Sequence, residues 1–288
     1  MYLVGDFMLH YLENDFLKIS VDTHGAELSS IYNKKENKNM LWHGDPQFWG
    51  RKSPVLFPVV GKYKNGKTTY NGKEYALGQH GFARDMEFAL IEESENKLSF
   101  VLESNNETLT KYPFKFRLIC SFELINNKIT VGWDVLNTDD KTMYFSIGAH
   151  PAFYCNKGET VLSMNGENLE YSLVNSDGLY IPAKYDVESS FVLHDHIFDN
   201  DALIIENSNV TEVSLADNGK KYLTVKFDAP LFGIWSPTKK NAPFVCIEPW
   251  YGRCDGADFS GDITEREWNN SLEINETWHK EYEIIINE

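Results

Sequence analysis

Apolar and polar residues alternate one by one over several long stretches of this chain. In residues 114–124 every second residue is apolar, and the same alternation resumes in residues 129–135. The dipeptide Asn126-Asn127 between the two stretches is of a type that forms turns. Because alternation with a period of two puts the apolar side chains on one face of a strand, the pattern predicts an antiparallel hairpin with one buried face.

Further strands are predicted along the rest of the chain. The dipeptide Asn71-Gly72 supplies the positive φ angles of a type I′ turn and predicts a second hairpin over residues 68–75. Shorter alternating runs predict strands at residues 17–21, 98–102, 223–227 and 282–286. Two continuous apolar runs, residues 202–205 and 244–247, predict strands that are buried on both faces.

Helical patterns are weak. Asp45 followed by Pro46 predicts one short turn over residues 45–49. Residues 262–265 resemble a capping box that would open one or two turns near Trp268. No stretch keeps a helical period over four turns, and no repeat or linker divides the chain. We therefore predict an all-β fold, a large antiparallel β-sandwich with few short helices, in a single domain over residues 1–288.

Composition narrows the classes of function. The chain has 288 residues, of which 42% are hydrophobic and 24% charged, as in a soluble globular protein. Its net charge of −16 argues against nucleic acid and anionic membranes as partners, because both require a basic surface. Aromatic residues make up 14% of the chain, which suits the half-buried surface of a sheet.

The cellular compartment is predicted from what the sequence lacks. The N-terminus has neither the basic start nor the apolar stretch of a signal peptide. No apolar run approaches the roughly 20 residues of a membrane-spanning helix. The four cysteines are scattered and include no Cys-x-x-Cys pair. A reduced cytoplasmic protein with free thiols is the simplest interpretation.

Three segments interrupt the alternation and combine a titratable residue with glycine or proline: residues 78–84, 146–153 and 245–251. In them His80, His150 and Glu248 each follow an apolar run and stand beside a residue that turns the chain. The backbone of such a residue is held in place by the core of the sheet, while its side chain projects from the edge of the sheet. A single histidine at a strand end is more often structural, and a carboxylate with apolar neighbours needs a polar cleft or a basic partner. Only the three segments together indicate a functional site.

Other catalytic or metal-binding motifs are weak or missing. His194 and His196 have a spacing that chelates a metal when both lie on one face of a strand, but their polar segment is more typical of a solvated loop. Ser53 and Ser146 lack the Gly-x-Ser-x-Gly motif of a serine hydrolase. No glycine-rich phosphate-binding loop occurs. The sequence therefore predicts neither a metal site nor a nucleotide cofactor.

Five short motifs, in this order, resemble the aldose 1-epimerase (galactose mutarotase-like) superfamily, and above all its bacterial aldose 1-epimerase-like branch. They contain Arg51 in residues 50–58, His80 in residues 79–84, His150 in residues 148–153, Asp201 in residues 199–203 and Glu248 in residues 246–250. The resemblance covers most of the chain. It implies a large β-sandwich and an isomerase that interconverts the α and β anomers of a free hexose without a cofactor.

By this resemblance, Glu248 is the general base and His150 the general acid. Exchange of anomers requires that a proton leaves the C1 hydroxyl and that another reaches the ring oxygen. The ring then opens to the aldehyde, C1 rotates about the C1–C2 bond, and the ring closes. A carboxylate and an imidazole are suited to these transfers near neutral pH. Because the two groups exchange roles on closure, we expect them on opposite sides of the anomeric centre.

The resemblance also implies a set of sugar-binding residues, namely His80, Arg51, Asp201 and Arg84, with Asp199 as an alternative to Asp201. His80 would help to stabilise the ring oxygen, and Arg84 would contact the sugar or support His80. Three aromatic residues near the motifs are candidates for stacking on the sugar ring, although core packing is their default role: Phe153, Trp235 and Trp250.

Three alternatives stay open. The arginine-bearing loops are also similar to those of the hexose-6-phosphate 1-epimerase branch, in which Lys52 and the two arginines would bind a phosphate. A non-catalytic carbohydrate-binding protein would keep the fold and the pocket, although it needs no acid–base pair. A glycosidase would use Asp201 and Glu248 as its two carboxylates and would leave His150 unexplained. We expect a small sugar as the partner, with the chain a monomer or a homodimer.

Overall fold

The computed structural model describes residues 8–259 and 261–287, and the N-terminal residues on which the signal-peptide prediction rests lie outside them. The described residues form mainly strands, which in chain order are β1 (Leu9–Glu13), β2 (Leu17–Asp22), β3 (Glu27–Asn33), β4 (Lys38–Asn39), β5 (Val55–Leu56), β6 (Lys67–Tyr70), β7 (Lys73–Ala76), β8 (Ala89–Glu93), β9 (Lys97–Glu103), β10 (Phe116–Ile125), β11 (Lys128–Asn137), β12 (Met143–Phe145), β13 (Ile147–Ala149), β14 (Ala152–Tyr154), β15 (Val161–Met164), β16 (Leu169–Val174), β17 (Tyr180–Val187), β18 (Ser190–Val192), β19 (Leu203–Glu206), β20 (Glu212–Asp217), β21 (Lys220–Phe227), β22 (Leu231–Trp235), β23 (Phe244–Tyr251), β24 (Asn270–Leu272) and β25 (Thr277–Ile286). The helical elements are α1 (Asn106–Lys111) and short 3₁₀ turns at Lys64–Gly66, Ala83–Asp85, Asp195–Phe198 and Ile263–Glu265. Within these described ranges, no helix is long and apolar enough to cross a membrane.

Two large antiparallel sheets form the body of the molecule. The first has the strand order β18-β15-β20-β21-β25-β11-β10-β9-β8, and the second has the order β17-β16-β19-β22-β23-β13-β5, with β14 paired to β23. One continuous apolar core joins them, with Phe122, Val131 and Ile284 from the first sheet and Phe232 and Ile247 from the second. The predicted all-β sandwich is therefore confirmed.

The predicted hairpins and strands are present. The long hairpin is β10 with β11, and Asn126 in its turn has a φ of 54°. The short hairpin is β6 with β7, where Asn71 and Gly72 have φ angles of 52° and 76°, as a type I′ turn requires. The shorter runs correspond to β2, β9, β21 and β25, and the two continuous apolar runs lie in β19 and β23, which are largely buried on both faces.

The two predicted helical turns are short. After Asp45, whose side chain accepts a backbone N–H at 2.9 Å, the chain makes the single turn that was predicted. Asp262 caps the 3₁₀ turn Ile263–Glu265, so one of the predicted one or two turns forms, and the helical turn does not extend to Trp268. Trp268 has a φ of 57°, which is incompatible with a right-handed helix.

The α-helix α1 was not predicted. It begins with reciprocal hydrogen bonds between the side chains and backbones of Asn105 and Thr108, which satisfy the first backbone N–H groups of the helix. With six residues, it is too short to produce a helical period in the sequence.

The second sheet presents the site on its outer face, the one turned away from the main core. Every residue of β23 is buried, and its side chains alternate between two surroundings. Val245 and Ile247 join the main core, whereas Cys246 and Trp250 belong to smaller apolar clusters on the outer face. Glu248 lies two residues from each of these, so it also points to the outer face. All four cysteines are buried and free, as predicted.

Candidate active site

A cavity of about 320 Å³ opens on the outer face of the second sheet. Its wall includes most of the nominated residues, namely His80, Arg84, His150, Asp201 and Glu248. A wider depression of about 550 Å³ lies on the surface of β21 and β25, but its wall consists largely of solvated charged side chains. The smaller cavity is the candidate site, because it combines buried titratable groups with apolar walls.

Glu248 and His150 lie side by side in this cavity. Glu248 is 1% exposed, and its Oε2 is 3.3 Å from the Nε2 of His150. Among the described residues, neither carboxylate oxygen of Glu248 has a hydrogen-bond partner. Burial, followed by the charge of Asp201, raises the pKa of Glu248 well above its usual value. Burial lowers the pKa of His150 to about 3, so both groups are driven toward their neutral forms.

This arrangement corrects the expectation that acid and base lie on opposite sides of the anomeric centre. A separation of 3.3 Å between Oε2 and Nε2 leaves no room for a carbon atom between the two groups. This separation is still compatible with the predicted exchange of anomers, because the C1 hydroxyl oxygen and the ring oxygen of a cyclic hexose are both bonded to C1. Two adjacent side chains on one side of such a ring would reach both oxygens.

Aromatic rings fix the orientation of His150. Trp49 stacks on its imidazole with ring centroids 4.7 Å apart and an interplanar angle of 27°. Trp235 meets the ring nearly at a right angle at 5.4 Å, and His80 does so at 5.6 Å. Packed on these sides, the imidazole resists rotation, and its nitrogen atoms keep their positions relative to Glu248.

His80 enters the wall from a strained loop. Its φ of 64° lies in the left-handed region that non-glycine residues seldom adopt. The backbone N–H of Gly61 donates to its Nδ1 at 3.1 Å, and the backbone N–H of His80 donates to the Gly61 carbonyl at 2.6 Å. Because Nδ1 accepts, the neutral ring carries its proton on Nε2. Burial, followed by the charge of His150, lowers the pKa of His80 well below its usual value, so the ring is a neutral N–H donor.

The two nominated arginines are placed differently. Arg84 lines the cavity and donates to the Gln79 carbonyl at 2.6 Å, and burial lowers its pKa to about 10. Arg51 is not part of the cavity wall, and its guanidinium pairs with Asp85 at 2.6 Å. Lys52 also lies outside the wall, so in the described structure the predicted phosphate-binding group of Lys52 and two arginines is not assembled in the cavity.

Asp201 lines the cavity, and its competitor Asp199 does not. Asp201 has a φ of 73°, the second nominated residue with a left-handed backbone, and its carboxylate accepts the N–H of Ala202 at 2.9 Å. It stands just before β19, where the chain enters the second sheet. Its negative charge contributes to the raised pKa of Glu248.

A buried lysine anchors the loop of Asp201. The ammonium group of Lys157, only 5% exposed, donates to Asp195 at 2.8 Å and to the hydroxyl of Ser236 at 2.7 Å. Asp195 begins the 3₁₀ turn that leads to Asp201, and Ser236 follows Trp235 at the end of β22. Lys157 therefore ties two parts of the cavity wall together.

Sequence reasoning missed Trp49 and Lys157. Trp49 ends the turn after Asp45, which is the signal that was available, whereas nothing in the sequence distinguishes Lys157 from a surface lysine. Of the three candidate stacking residues, Trp235 and Trp250 line the cavity. Phe153 is fully buried in the main core.

Trp250 lies flat across two glycines of neighbouring strands. A Cβ atom added at Gly148 would lie 2.6 Å from its indole ring, and one added at Gly233 would lie 2.7 Å from it. Glycine at both positions is thus what lets the ring approach the backbone of the sheet. The indole forms a flat apolar surface in the same cavity wall as Glu248.

The pair His194 and His196 and the residues around the cavity differ in how many metal-binding side chains they bring together. The rings of His194 and His196 stack at 5.4 Å, but in the part of the chain that the structure describes no third ligand completes a group with them. His150, Cys246 and Glu248 do form such a group, with one ligand atom from each lying within 4.8 Å of the others.

Comparison with known proteins shows that the chain matches one protein family over most of its length. The family model for aldose 1-epimerase matches residues 8–284. The plasmid form of protein LacX from Lactococcus lactis subsp. lactis is 30% identical over 300 aligned positions, and the alignment covers 96% of this chain and 98% of that protein. A galactose mutarotase related enzyme from Lactobacillus acidophilus is 33% identical, with a TM-score of 0.93 and 98% of each chain covered. A galactose mutarotase-like protein from Lactobacillus casei ATCC 334 is 29% identical, with a TM-score of 0.93 and coverage of 97% and 100%.

Proposed function

This chain belongs to the aldose 1-epimerase family, and we propose that it interconverts the α and β anomers of a free hexose by acid–base opening and closing of the ring. The family and its mutarotase-like relatives support a mutarotase-type function in general. The observation that carries the specific proposal is the pair formed by Glu248 and His150, 3.3 Å apart in a cavity with aromatic walls. Perturbed, adjacent acid and base groups in a cleft are typical of proton-transfer catalysis.

In the proposed opening step, Glu248 as carboxylate takes the proton of the C1 hydroxyl. His150 as imidazolium gives its proton to the ring oxygen, the bond between C1 and the ring oxygen breaks, and a carbonyl forms at C1. The pair begins as an anion and a cation and ends as two neutral groups, so its total charge does not change. Burial favours the neutral groups and therefore favours the opening step. Closure reverses both transfers after rotation about the C1–C2 bond.

The other wall residues supply binding. We assign the Nε2–H of His80 to the ring oxygen, because a fixed neutral donor stabilises the partial negative charge that develops there as the bond to C1 breaks, without losing a proton. Asp201 accepts hydrogen bonds from sugar hydroxyls, and Arg84 donates hydrogen bonds to them. Trp250 offers a flat surface to the C–H face of the sugar ring. Arg51 is assigned an indirect role, since its pairing with Asp85 steadies the loop of Arg84.

The test is the rate at which fresh α-glucose and α-galactose reach equilibrium, followed by optical rotation. The wild-type chain should accelerate both, and Glu248→Gln and His150→Asn should each lower the acceleration by roughly 10²–10⁴-fold. A matched pair of variants tests the binding residue: Asp201→Asn should raise KM, whereas Asp199→Asn, whose side chain is exposed and outside the wall, should not.

Three other results would each favour a different function. Sugar binding without acceleration would favour a non-catalytic binding protein, and hydrolysis of a methyl glucoside would favour a glycosidase. Exchange of glucose 6-phosphate, measured by exchange NMR, at the expense of free glucose would favour the phosphosugar enzyme.

A further inference from the structure

Two side chains of the cavity wall, Glu248 and His150, lie close to a third side chain of a metal-binding type, Cys246, which is fully buried behind the wall. Cys246 and Glu248 are two residues apart on β23 and therefore share a face. His150 lies between β13 and β14, which both pair with β23. We propose that Glu248, His150 and Cys246 form a binding site for a thiophilic divalent cation, namely Zn²⁺. We further propose that the bound cation inhibits anomer exchange.

The distances suit a tetrahedral site. Zinc bonds of about 2.0–2.1 Å to nitrogen and oxygen separate two such ligands by about 3.3 Å in a tetrahedron. The Nε2 of His150 and the Oε2 of Glu248 are already 3.3 Å apart. The sulfur of Cys246 lies within 4.8 Å of the other ligand atoms, and a shift of about 1 Å completes a Zn–S bond of about 2.3 Å.

Orphaned polar atoms point to a ligand independently of this spacing. Glu248 is almost fully buried, yet among the described residues neither of its oxygens has a hydrogen-bond partner. Buried polar atoms are normally paired, and a carboxyl group that faces an imidazole and a thiol offers a cation three donor atoms, with the acidic protons displaced as the cation binds. Three protein ligands also leave a fourth position toward the cavity, which is the pattern of an open zinc site.

Occupation of this site and anomer exchange exclude each other. A carboxylate oxygen bound to a cation no longer takes the C1 proton, and an Nε2 bound to a cation carries no proton to give. The inhibition therefore rests on the proposed function. Binding of the cation does not rest on it, because it depends only on the three ligands.

Co²⁺ is the probe for the ligands. A Co²⁺ ion bound by a thiolate shows charge-transfer absorption in the near ultraviolet, and tetrahedral coordination intensifies its visible bands. Wild-type protein should gain both signals at one equivalent of Co²⁺, and Zn²⁺ should abolish them. Cys246→Ser should lack the charge-transfer band, whereas Cys254→Ser should keep it, since Cys254 lines the same cavity outside the cluster. A wild type without the band, or a band that survives in Cys246→Ser, would overturn the site.

Inhibition is measured separately, on the exchange of free glucose. Zn²⁺ should slow the wild type, and the concentration for half-inhibition should rise at least roughly tenfold in Cys246→Ser or, should the buried serine prevent folding, in Cys246→Ala. Undiminished exchange with Zn²⁺ bound would overturn the inhibition. Co²⁺ binding without any exchange activity would refute the proposed function but support the metal site. Exchange activity without Co²⁺ binding would support the proposed function but refute the metal site.

Discussion

Two buried carboxylates, seven positions apart, have opposite surroundings. Asp255 is ion-paired with Arg266 at 2.6 Å, both side chains are 2% exposed, and its second oxygen accepts the backbone N–H of Lys64 at 2.8 Å. Glu248 is buried to the same degree and, among the described residues, has no hydrogen-bond partner for either oxygen. The first carboxylate is fully occupied by protein partners, whereas the second lies beside His150 without a hydrogen bond from any described residue, which is why we propose it as the reactive group.

The surroundings of the paired carboxylate extend this contrast. Arg253 lies over the ring of Tyr180 at 3.6 Å and pairs with Glu206 at 2.6 Å and with Glu267. Its carbonyl accepts a hydrogen bond from Arg266 at 2.8 Å, so the two arginines form one network. Such a network adds little net stability, but it is costly to break, because any partner left behind is a buried, unpaired charge.

The largest effect is expected where the unpaired carboxylate is made an amide. Glu248→Gln should lower anomer exchange by roughly 10²–10⁴-fold. Its free energy of unfolding should stay within about 1 kcal/mol of the wild type or rise, because burial drives both Glu248 and His150 toward their neutral forms, so that little charge–charge attraction is lost, and because active-site groups often cost stability. Polarimetry and urea unfolding measure the two quantities. Destabilisation by more than about 2 kcal/mol would identify Glu248 as a structural residue instead.

The paired carboxylate should respond in the opposite way. Arg266→Met leaves Asp255 buried without its cation and should lower the free energy of unfolding by about 3–5 kcal/mol. Adding Asp255→Asn to this variant should recover a large part of the loss, since the unpaired charge is then removed. Urea unfolding of the single and double variants forms the test. A single variant as stable as the wild type would show that the pair is not needed, and the contrast with Glu248 would disappear.

The smallest effect is expected in the pH profile of kcat/KM, measured with a chelator present. Free histidine gains its proton near pH 6.5, but the pKa of His150 is lowered to about 3 and that of His80 also lies well below the usual value. The pair of Glu248 and His150 therefore keeps a single shared proton as the pH falls through 6.5, and the rate should change little until the pH approaches the lowered value. On the alkaline side, the rate should fall as the shared proton is lost. A loss of rate on acidification that is centred near pH 6.5 would refute the assignment of a lowered pKa to His150.

The regular elements followed from the sequence because their signals are local. The alternation in β10 and β11 predicted that hairpin, and Asn71-Gly72 predicted the second turn, since each pattern lies within a few adjacent residues. The helix α1 was missed because its cap, Asn105 with Thr108, precedes too few residues to set up a period. The candidate site was predictable in part, through His80, His150, Asp201, Arg84 and Glu248, all of which line one cavity.

By itself, the sequence determined that the protein is all-β. It also determined that alternate residues of β23 share a face, which puts Cys246 and Glu248 on the same side of the sheet. It did not determine that Arg51 pairs with Asp85 outside the cavity, or that Phe153 belongs to the main core. The 3.3 Å contact of Glu248 with His150 was also decided only in the tertiary structure. The reason is physical: side-chain period is a property of neighbouring residues, whereas contacts between distant segments depend on sheet register and on how the two sheets pack.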